Sequence, residues 1–324
     1  PTRCAYCSFV AQSVEKSFAL VEPYLAALFD EIEQAGATVR SLGLHIKSFY
    51  MGGGTPTTLT AEQMDRLLTR LERSFDFTSL AESTIEAGRP DTIDPEKLAV
   101  LRAHGVTRVS VNPQTMEDRV LAAIGRRHTA DDIRRAYADV RAAGDFIVNM
   151  DLIAGLPGDD YEGFRATVEG ILALDPESVT VHTLSMKRAS NLVIQRRADY
   201  GGAGEAARMV VFSAERLPEA GYRPYYLYRQ SRTAGNQENV GWAKPGCEGL
   251  YNVFIMDETH TILGCGAGAV TKLKQPGTDY LERIFNFKFP YEYNARFEEM
   301  LARKGRIGTF YEEKCGRPPA ASPQ

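Results

Sequence analysis

Apolar positions between residues 20 and 185 follow two alternating periods. Over residues 23–40 they recur at helical spacing, with further helical stretches from residues 60, 94, 129 and 161. Between these stretches lie short apolar runs, and the first of them, residues 46–51, ends at three consecutive glycines. These runs predict five strands, at residues 46–51, 84–87, 108–111, 146–153 and 178–184.

The helix boundaries support this alternation. Thr60 and Gln63 form a capping-box pattern, Asp94 precedes Pro95 at a predicted helix start, and Gly105 ends that helix. Strands that are each followed by a helix predict a parallel sheet. We therefore expect an α/β fold, a partial (β/α)6 TIM-like barrel, with a sixth strand ahead of Cys4.

The rhythm changes after residue 185, which predicts two domains. Residues 1–190 form the predicted barrel, and residues 191–324 form an additional C-terminal α+β region that covers the substrate. This region contains a predicted helix at residues 205–220 and aromatic-rich stretches at residues 222–228 and 250–255. The Pro/Ala-rich tail from about residue 316 is predicted to be frayed.

Composition narrows the functional classes. A net charge of −4 gives no general attraction to nucleic acid or to an anionic membrane surface. No apolar run is long enough for a membrane span, and no signal-peptide pattern opens the sequence. Five cysteines are an odd and low number, so a disulfide framework is not expected and a reducing, cytoplasmic location is.

Cys4 and Cys7 are the most informative pair in the sequence. Two thiols separated by two residues can hold a zinc ion or an iron–sulfur cluster, or can serve as a dithiol redox pair. A zinc ribbon would need a second such pair, which the sequence does not contain. The chain starts at Pro1 without methionine, three residues before the motif, so we expect a fragment of a longer protein.

Polar residues follow the predicted strands, where parallel βα folds place their sites. The segment 51–57 brings three glycines to the end of the first strand, and glycine lets the backbone approach a ligand closely. The same sheet edge should present Glu86, Gln114, Asp151 and residues 182–185. Several strands that end in this way indicate one shared site rather than separate solvated side chains.

The segment Cys4-Ala5-Tyr6-Cys7 resembles the radical S-adenosylmethionine family signature Cys-x-x-x-Cys-x-Tyr-Cys, except that the first cysteine would directly precede Pro1. The resemblance implies a 4Fe-4S cluster held by three cysteines, with the fourth iron free to bind S-adenosylmethionine. In this chain, Cys4 and Cys7 would be cluster ligands.

The later motifs resemble, in order, those of the oxygen-independent coproporphyrinogen oxidase family, and segments such as 241–251 resemble its HemZ-type dehydrogenases in particular. The implied cofactor-binding residues are Tyr6, Gly52, Gly53, Gly54, Thr55, Glu86, Gln114, Arg126, Asp151 and Ser185. Arg126 has the alternative of a solvated arginine at a helix end, and Arg127 is the more exposed candidate of the two.

The resemblance implies oxidative decarboxylation of coproporphyrinogen III propionates to vinyl groups, in haem biosynthesis, with electrons from a small flavodoxin- or ferredoxin-like donor. Phe9 occupies the place of a fourth cysteine, as in related haem chaperones. A haem chaperone of the same fold is therefore an alternative, as is a porphyrin-modifying radical methyltransferase. A metal-free barrel in which Cys4 and Cys7 form a redox pair is the most distant one.

Three further features have structural interpretations as well as functional ones. Residues 264–268 have the pattern GxGxG rather than GxGxxG, so we expect a packing turn, not a dinucleotide site. Cys247 and Cys265 are expected to be ordinary buried or half-buried thiols, with a redox or substrate role as the alternative. Tyrosines at positions 222, 225, 226 and 228 alternate as in a strand, which is typical of core packing but also suits a flat porphyrin.

Overall fold

The computed structural model describes residues 4–7, 17–185, 203–229, 233 and 237–316. The chain divides into two compact units. The first comprises residues 1–15, 50–61 and 82–250, and the second comprises residues 16–49, 62–81 and 251–324. The predicted domain boundary near residue 190, the expected strand ahead of Cys4 and the tail beyond residue 316 lie outside the described residues and stay predictions.

One sheet organises the first unit, and it confirms the five predicted strands to within two residues at most ends. The seven strands are β1 (Ser48–Met51), β2 (Glu82–Glu86), β3 (Arg108–Ser110), β4 (Ile147–Ala154), β5 (Ser178–Thr183), β6 (Arg223–Tyr228) and β7 (Asn239–Ala243). They are ordered β1-β2-β3-β4-β5-β7-β6 in the sheet. β2 to β5 pair in parallel, in chain order, as in a barrel rather than a doubly wound sheet.

Helices connect these strands. They are α1 (Val21–Ser41), α2 (Ala61–Ser74), α3 (Pro95–Ala103), α4 (Asp118–Ala123), α5 (Ala130–Ala143), α6 (Tyr161–Leu174) and α7 (Ala203–Glu219). Polar caps fix several starts: Asp94 accepts a hydrogen bond from the Lys97 amide, and Thr129 and Asp132 form a reciprocal capping box. The helix predicted from Asp94 is thereby confirmed.

The two faces of the parallel strands differ in polarity because successive side chains point to opposite sides. One face carries apolar residues, among them Ile85, Val109, Met150 and Val179. The other face carries polar residues at neighbouring register positions, namely Glu86, Ser110, Asn149, Asp151, Ser178, Thr180 and His182. A polar sheet face inside an α/β unit is suited to a binding site, since a purely structural core would be apolar there.

β7 and β6 extend the sheet beyond β5 in antiparallel pairing. The aromatic stretch at residues 222–228 therefore forms strand β6, as its alternation predicts, and it joins the same sheet as the predicted barrel. The second aromatic stretch forms a helix, α8 (Leu250–Met256).

The second unit contains the hairpin of β8 (Val270–Lys274) and β9 (Leu281–Phe285). It also contains α1, α2 from Glu62 onward, and three short helices: α9 (Pro290–Ala295), α10 (Phe297–Lys304) and α11 (Arg306–Cys315). One apolar cluster centres on Leu273 and Phe310, and another on Tyr293 and Met300.

A buried ion pair lies within the second unit. The Nζ atom of Lys304 is 3.0 Å from Oε1 of Glu31, and the two side chains are 9% and 1% exposed. Glu31 also accepts hydrogen bonds from the Tyr293 hydroxyl (2.6 Å), the Asn286 amide (2.7 Å) and the Gly266 backbone N–H (2.7 Å). The turn at residues 264–268 is thus held by hydrogen bonds within the second unit, and it leads into strand β8 rather than from a strand into a helix.

Candidate functional site

The two N-terminal cysteines lie on one tight turn of the first unit. The Cys7 amide donates a hydrogen bond to the Cys4 carbonyl over 3.2 Å, and the Ala5 amide donates to the Ile124 carbonyl over 2.9 Å. Cys4 is buried, Cys7 is half-buried, and both are free thiols. The second bond anchors the turn beside the segment that follows α4, so both sulfur atoms are presented from one loop.

Arg126 ties this turn to the end of β3. Its Nη1 donates to the Asn112 carbonyl over 2.6 Å, and its Nη2 donates to the Tyr6 hydroxyl over 3.2 Å. Burial lowers the pKa of Arg126, but the neighbouring Tyr6 and Cys4 raise it above its ordinary value overall. Arg126 is 7% exposed, whereas Arg127 is exposed. The position of Arg126 therefore differs from that of a solvated arginine.

The ring of Tyr6 fixes the orientation of the turn. It packs against the apolar cluster of Val120, Ile124, Ile153, Leu156 and Leu184. Burial raises the pKa of the Tyr6 hydroxyl to about 12, although the charge of Arg126 opposes the rise. Tyr6 thus stays a neutral group between the cysteine turn and Arg126 at physiological pH.

The glycine segment after β1 is built around Glu86. Glu86 accepts hydrogen bonds from the Tyr50 hydroxyl and from the Gly53 backbone N–H (3.3 Å). A Cβ atom at Gly52 would lie 2.6 Å from Cε1 of Tyr50 and 2.8 Å from Cδ of Glu86, so only glycine fits. Gly53 has a φ of 121°, which disfavours other residues there.

The backbone of this glycine segment is exposed to solvent. Gly52, Gly53 and Gly54 are all exposed, and Thr55 is half-buried with its side chain against Gly88. Exposed backbone N–H and C=O groups at a strand end are available to a ligand.

Two carboxylates and a histidine meet at the polar sheet face. Oδ2 of Asp151 is 3.7 Å from Nε2 of His182, and Oδ1 accepts a hydrogen bond from the Asn149 amide over 2.7 Å. Burial opposes ionisation of Asp151, but His182 holds its pKa below the ordinary value. Burial raises the pKa of Glu86, and the charge of Asp151 adds to the rise.

Gln114 lies at the same strand ends and adopts an unusual backbone conformation. Its φ is 70°, and its amide and carbonyl groups bond to Asp151 (2.9 Å) and Ile153 (3.0 Å) of β4. Its side-chain Oε1 is buried and has no hydrogen-bond partner among the described residues, and the same holds for Oδ1 of Asn112. Buried acceptors without partners are costly, so both oxygens are available to hydrogen-bond donors of a bound molecule.

The predicted residues therefore fall into three groups of contacts in the first unit. Cys4, Tyr6 and Arg126 form the first group, Gly52, Gly53 and Glu86 the second, and Gln114 and Asp151 the third. Ser185 lies just beyond β5, where it pairs with Thr233 in an isolated bridge.

Sequence reasoning missed Tyr50 and Asn112 as neighbours of these groups. Tyr50 lies in β1, where strand alternation places it beside Glu86 of β2, and Asn112 lies two residues after β3. The alternation of side chains along the first predicted strand would have been the signal for Tyr50. Tyr228, one of the tyrosines that the sequence singled out, lies with its hydroxyl 3.2 Å from Nδ1 of His182.

The remaining cysteines are placed elsewhere. Burial raises the pKa of the Cys265 thiol to about 12, so it stays protonated. Burial also raises the pKa of Cys247, whose carbonyl accepts a hydrogen bond from Arg108. Within the described ranges, no group of three His, Cys, Asp or Glu side chains could hold a metal ion.

Three comparisons connect this geometry with known proteins. Residues 1–171 match the model of the Radical SAM superfamily. The oxygen-independent coproporphyrinogen-III oxidase-like protein HemZ of Bacillus subtilis is 43% identical over 306 residues, which cover 94% of this chain and 61% of that protein. The heme chaperone HemW of Mycobacterium tuberculosis is 30% identical over 314 residues, which cover 93% of this chain and 75% of the chaperone.

A solved structure confirms the partial-barrel fold. Coproporphyrinogen III oxidase (HemN) from Escherichia coli superposes with a TM-score of 0.69 at 23% identity, over 92% of this chain and 67% of that one. The chain thus spans about three-fifths of HemZ and two-thirds of HemN. No helix in the described part of the chain is long and apolar enough to cross a membrane.

Proposed function

The chain belongs to the radical S-adenosylmethionine superfamily, and on that premise we propose that it catalyses the oxygen-independent oxidative decarboxylation of coproporphyrinogen III propionates. The substrate class rests on the relatives named for coproporphyrinogen III oxidation. One observation supports the site most directly. The buried oxygens Oε1 of Gln114 and Oδ1 of Asn112 have no hydrogen-bond partner among the described residues, and they lie next to two carboxylates and the two-cysteine turn.

We propose that Cys4 and Cys7 bind a 4Fe-4S cluster together with a third cysteine directly ahead of Pro1. The donor set fits, since both thiols are free and lie on one turn, and clusters take thiolate ligands. The guanidinium of Arg126 lies close to Cys4, and its positive charge complements the negative charge of a cluster with thiolate ligands. The third ligand stays a prediction.

S-adenosylmethionine fits the neighbouring groups by charge and hydrogen bonding. Its sulfonium and amino groups are cationic or donate hydrogen bonds, and Glu86, Asp151 and the acceptors of Gln114 and Asn112 complement them. The exposed backbone of Gly52 to Gly54 offers further contacts. Thr55, Tyr6, Arg126 and Ser185 complete the proposed set.

Together the two cofactors supply a radical that abstracts hydrogen from a substrate carbon. The net change at each propionate is loss of carbon dioxide, one hydrogen atom and one electron, which leaves a vinyl group. S-adenosylmethionine would be the net oxidant, because its cleavage to methionine and 5′-deoxyadenosine takes up one electron and one hydrogen atom. A small flavodoxin- or ferredoxin-like protein would supply the electron that starts the reaction. The chain's own residues position the substrate and keep water away, and they need no acid–base group for the carbon chemistry.

The proposal is tested with reduced, reconstituted protein, coproporphyrinogen III and S-adenosylmethionine under argon. Vinyl product that appears together with 5′-deoxyadenosine supports the oxidase. Protein that cleaves S-adenosylmethionine without forming vinyl product contradicts the proposed substrate but not the proposed cofactor site.

A haem chaperone of the same fold is the second candidate. The identity to the chaperone HemW, over three-quarters of its length, favours it, and so does Phe9 at the place of a fourth cysteine. Phe9 itself lies outside the described residues. Tight binding of haem without vinyl product in the same assay would support this candidate. A porphyrin-modifying methyltransferase would instead yield a methylated porphyrin.

A further inference from the structure

Tyr226 of β6 lies across β7 and contacts β5. A Cβ atom at Gly241 would lie 1.8 Å from Cε1 of the Tyr226 ring, so the ring covers the backbone of Gly241 directly. The Tyr226 hydroxyl reaches Oγ1 of Thr180 on β5 over 3.4 Å. The glycine in the middle of a strand is therefore explained by the aromatic ring that lies on it.

Tyr228 lies two residues after Tyr226 in β6, on the same face of the sheet. Its ring is parallel to that of Tyr226 within 7°, with centroids 6.3 Å apart. Its hydroxyl is 3.2 Å from Nδ1 of His182, and the two rings meet edge to face. Both tyrosine rings are thus held by their hydroxyl groups on β5, on the polar face of the sheet.

This aromatic pair is adjacent to the proposed cofactor site. His182 contacts Tyr228 through Nδ1 and faces Asp151 through Nε2, at 3.7 Å from Oδ2. Its side chain is 27% exposed, and both tyrosines are half-buried. Neither the two tyrosines nor His182 has a role in the cofactor contacts proposed above.

The chemistry of this surface suits one kind of ligand. Two neighbouring tyrosine rings on one face of the sheet offer an apolar, aromatic contact area, as large ring systems require. The Asp151 carboxylate can accept further hydrogen bonds from N–H donors, because each of its oxygens has two acceptor positions, and His182 holds it in place from the side of Tyr228. A tetrapyrrole combines a large apolar ring system with pyrrole N–H groups.

Building on the proposed function, we infer that Tyr226, Tyr228 and His182 form the tetrapyrrole-binding face of the site. The tyrosine rings contact the apolar macrocycle, and His182 with Asp151 orients its N–H groups. Because Asp151 is also a proposed cofactor contact, this placement brings the substrate beside the adenosyl group.

The single tryptophan of the chain makes a direct binding test possible. Trp242 follows Gly241 in β7, so energy transfer quenches its fluorescence when a porphyrin binds nearby. Coproporphyrin III, which is stable in air, is titrated into the iron-free chain. We expect the variants Tyr226→Ala and Tyr228→Ala to bind it about tenfold more weakly, a change of about 1.4 kcal/mol.

Leu227→Ala is the matched control, because Leu227 lies between the two tyrosines in the strand and is 59% exposed. Its affinity should equal that of the parent chain. Variants Tyr228→Phe and His182→Gln keep most of the side-chain volume. They therefore test the polar contacts of these two residues if an alanine variant does not fold. We expect about threefold weaker binding from each, with an unchanged melting temperature.

Equal affinity of the parent chain and the folded tyrosine and histidine variants would overturn the inference while leaving the proposed function intact. No quenching of the parent chain at all would overturn the inference and the proposed substrate class together. Iron loading and cleavage of S-adenosylmethionine, measured separately, would still report on the cofactor site.

Discussion

The guanidinium of Arg126 lies 3.2 Å from the Tyr6 hydroxyl and donates a hydrogen bond to it. The same guanidinium donates to the Asn112 carbonyl over 2.6 Å, so one buried side chain joins the cysteine turn to the end of β3. A rigid, planar group with several donors is needed to reach both partners at once. Arg126 is therefore a positioning residue for the proposed cluster.

Arg126→Lys should weaken cluster retention, because an ammonium group at this place cannot keep both hydrogen bonds. Loss of such a supporting contact commonly costs about 10- to 100-fold in metal affinity. Iron retained after gel filtration under argon measures the effect. The exposed neighbour provides the control, since Arg127→Lys should retain as much iron as the parent chain. Equal iron contents in both variants would show that Arg126 does not position the cluster.

Gly52→Ala should disrupt the contacts of Glu86 with Tyr50, because the added Cβ would lie 2.6 Å from the Tyr50 ring. We expect at least tenfold weaker binding of S-adenosylmethionine, about 1.4 kcal/mol, by equilibrium dialysis of the reconstituted protein. Gly170→Ala is the control. Gly170 lies within α6, and a Cβ atom there would come no closer than 3.7 Å to Met116. Undiminished binding in the Gly52 variant would argue against a cofactor role for this loop.

Lys304→Met should destabilise the second unit strongly. The substitution leaves the carboxylate of Glu31 buried without its ion-pair partner, which typically costs about 3–5 kcal/mol. Chemical denaturation measures the loss. Glu22→Gln breaks the exposed pair of Glu22 with Arg66 and should leave the denaturation midpoint nearly unchanged, because solvent screens exposed ion pairs. Similar small losses in both variants would show that the Glu31 contacts contribute little.

Stability should depend on pH through the carboxyl group of Asp159. This residue is 7% exposed, and one of its oxygens has no hydrogen-bond partner within the part of the chain that the structure describes. Burial raises its pKa to about 6, above the unfolded value near 4. The unfolded chain therefore loses this proton first, and the contribution of Asp159 to stability decreases as pH rises from about 4 to 6.

Asp159→Asn should remove that decrease and stabilise the protein at pH 7 by roughly 2–3 kcal/mol, with little effect at pH 4. Melting temperatures across this pH range provide the measurement. Asp139→Asn, at an exposed carboxylate of α5, should follow the curve of the parent chain. A pH profile of the Asp159 variant that parallels the parent chain would contradict the assignment.

Local patterns were sufficient for most of the fold. The apolar runs of β2 to β5 are short and end at polar or glycine residues, and the caps at Asp94 and Thr129 are formed by neighbours in sequence. Such contacts need no knowledge of distant segments. Strand order also followed from the sequence, because consecutive βα units in a barrel pair in chain order.

Long-range contacts were out of reach of the same reasoning. The pairing of β7 with β5 joins segments on either side of the described helix α7, and no residue near position 241 indicates it. Likewise, Gly241 looks like a weak point in a strand until the Tyr226 ring is found on it. The role of Glu31 depends on partners more than 200 residues away.

The central claim is that Cys4 and Cys7 hold a cluster with one iron open to S-adenosylmethionine. The most direct measurement is electron paramagnetic resonance of the reduced, reconstituted chain that carries the predicted cysteine ahead of Pro1. We predict about four iron atoms per chain and a cluster signal that changes when S-adenosylmethionine is added. Cys4→Ala should abolish the signal, and Cys315→Ala should not. An iron-free chain, or a signal that S-adenosylmethionine leaves unchanged, would contradict the claim.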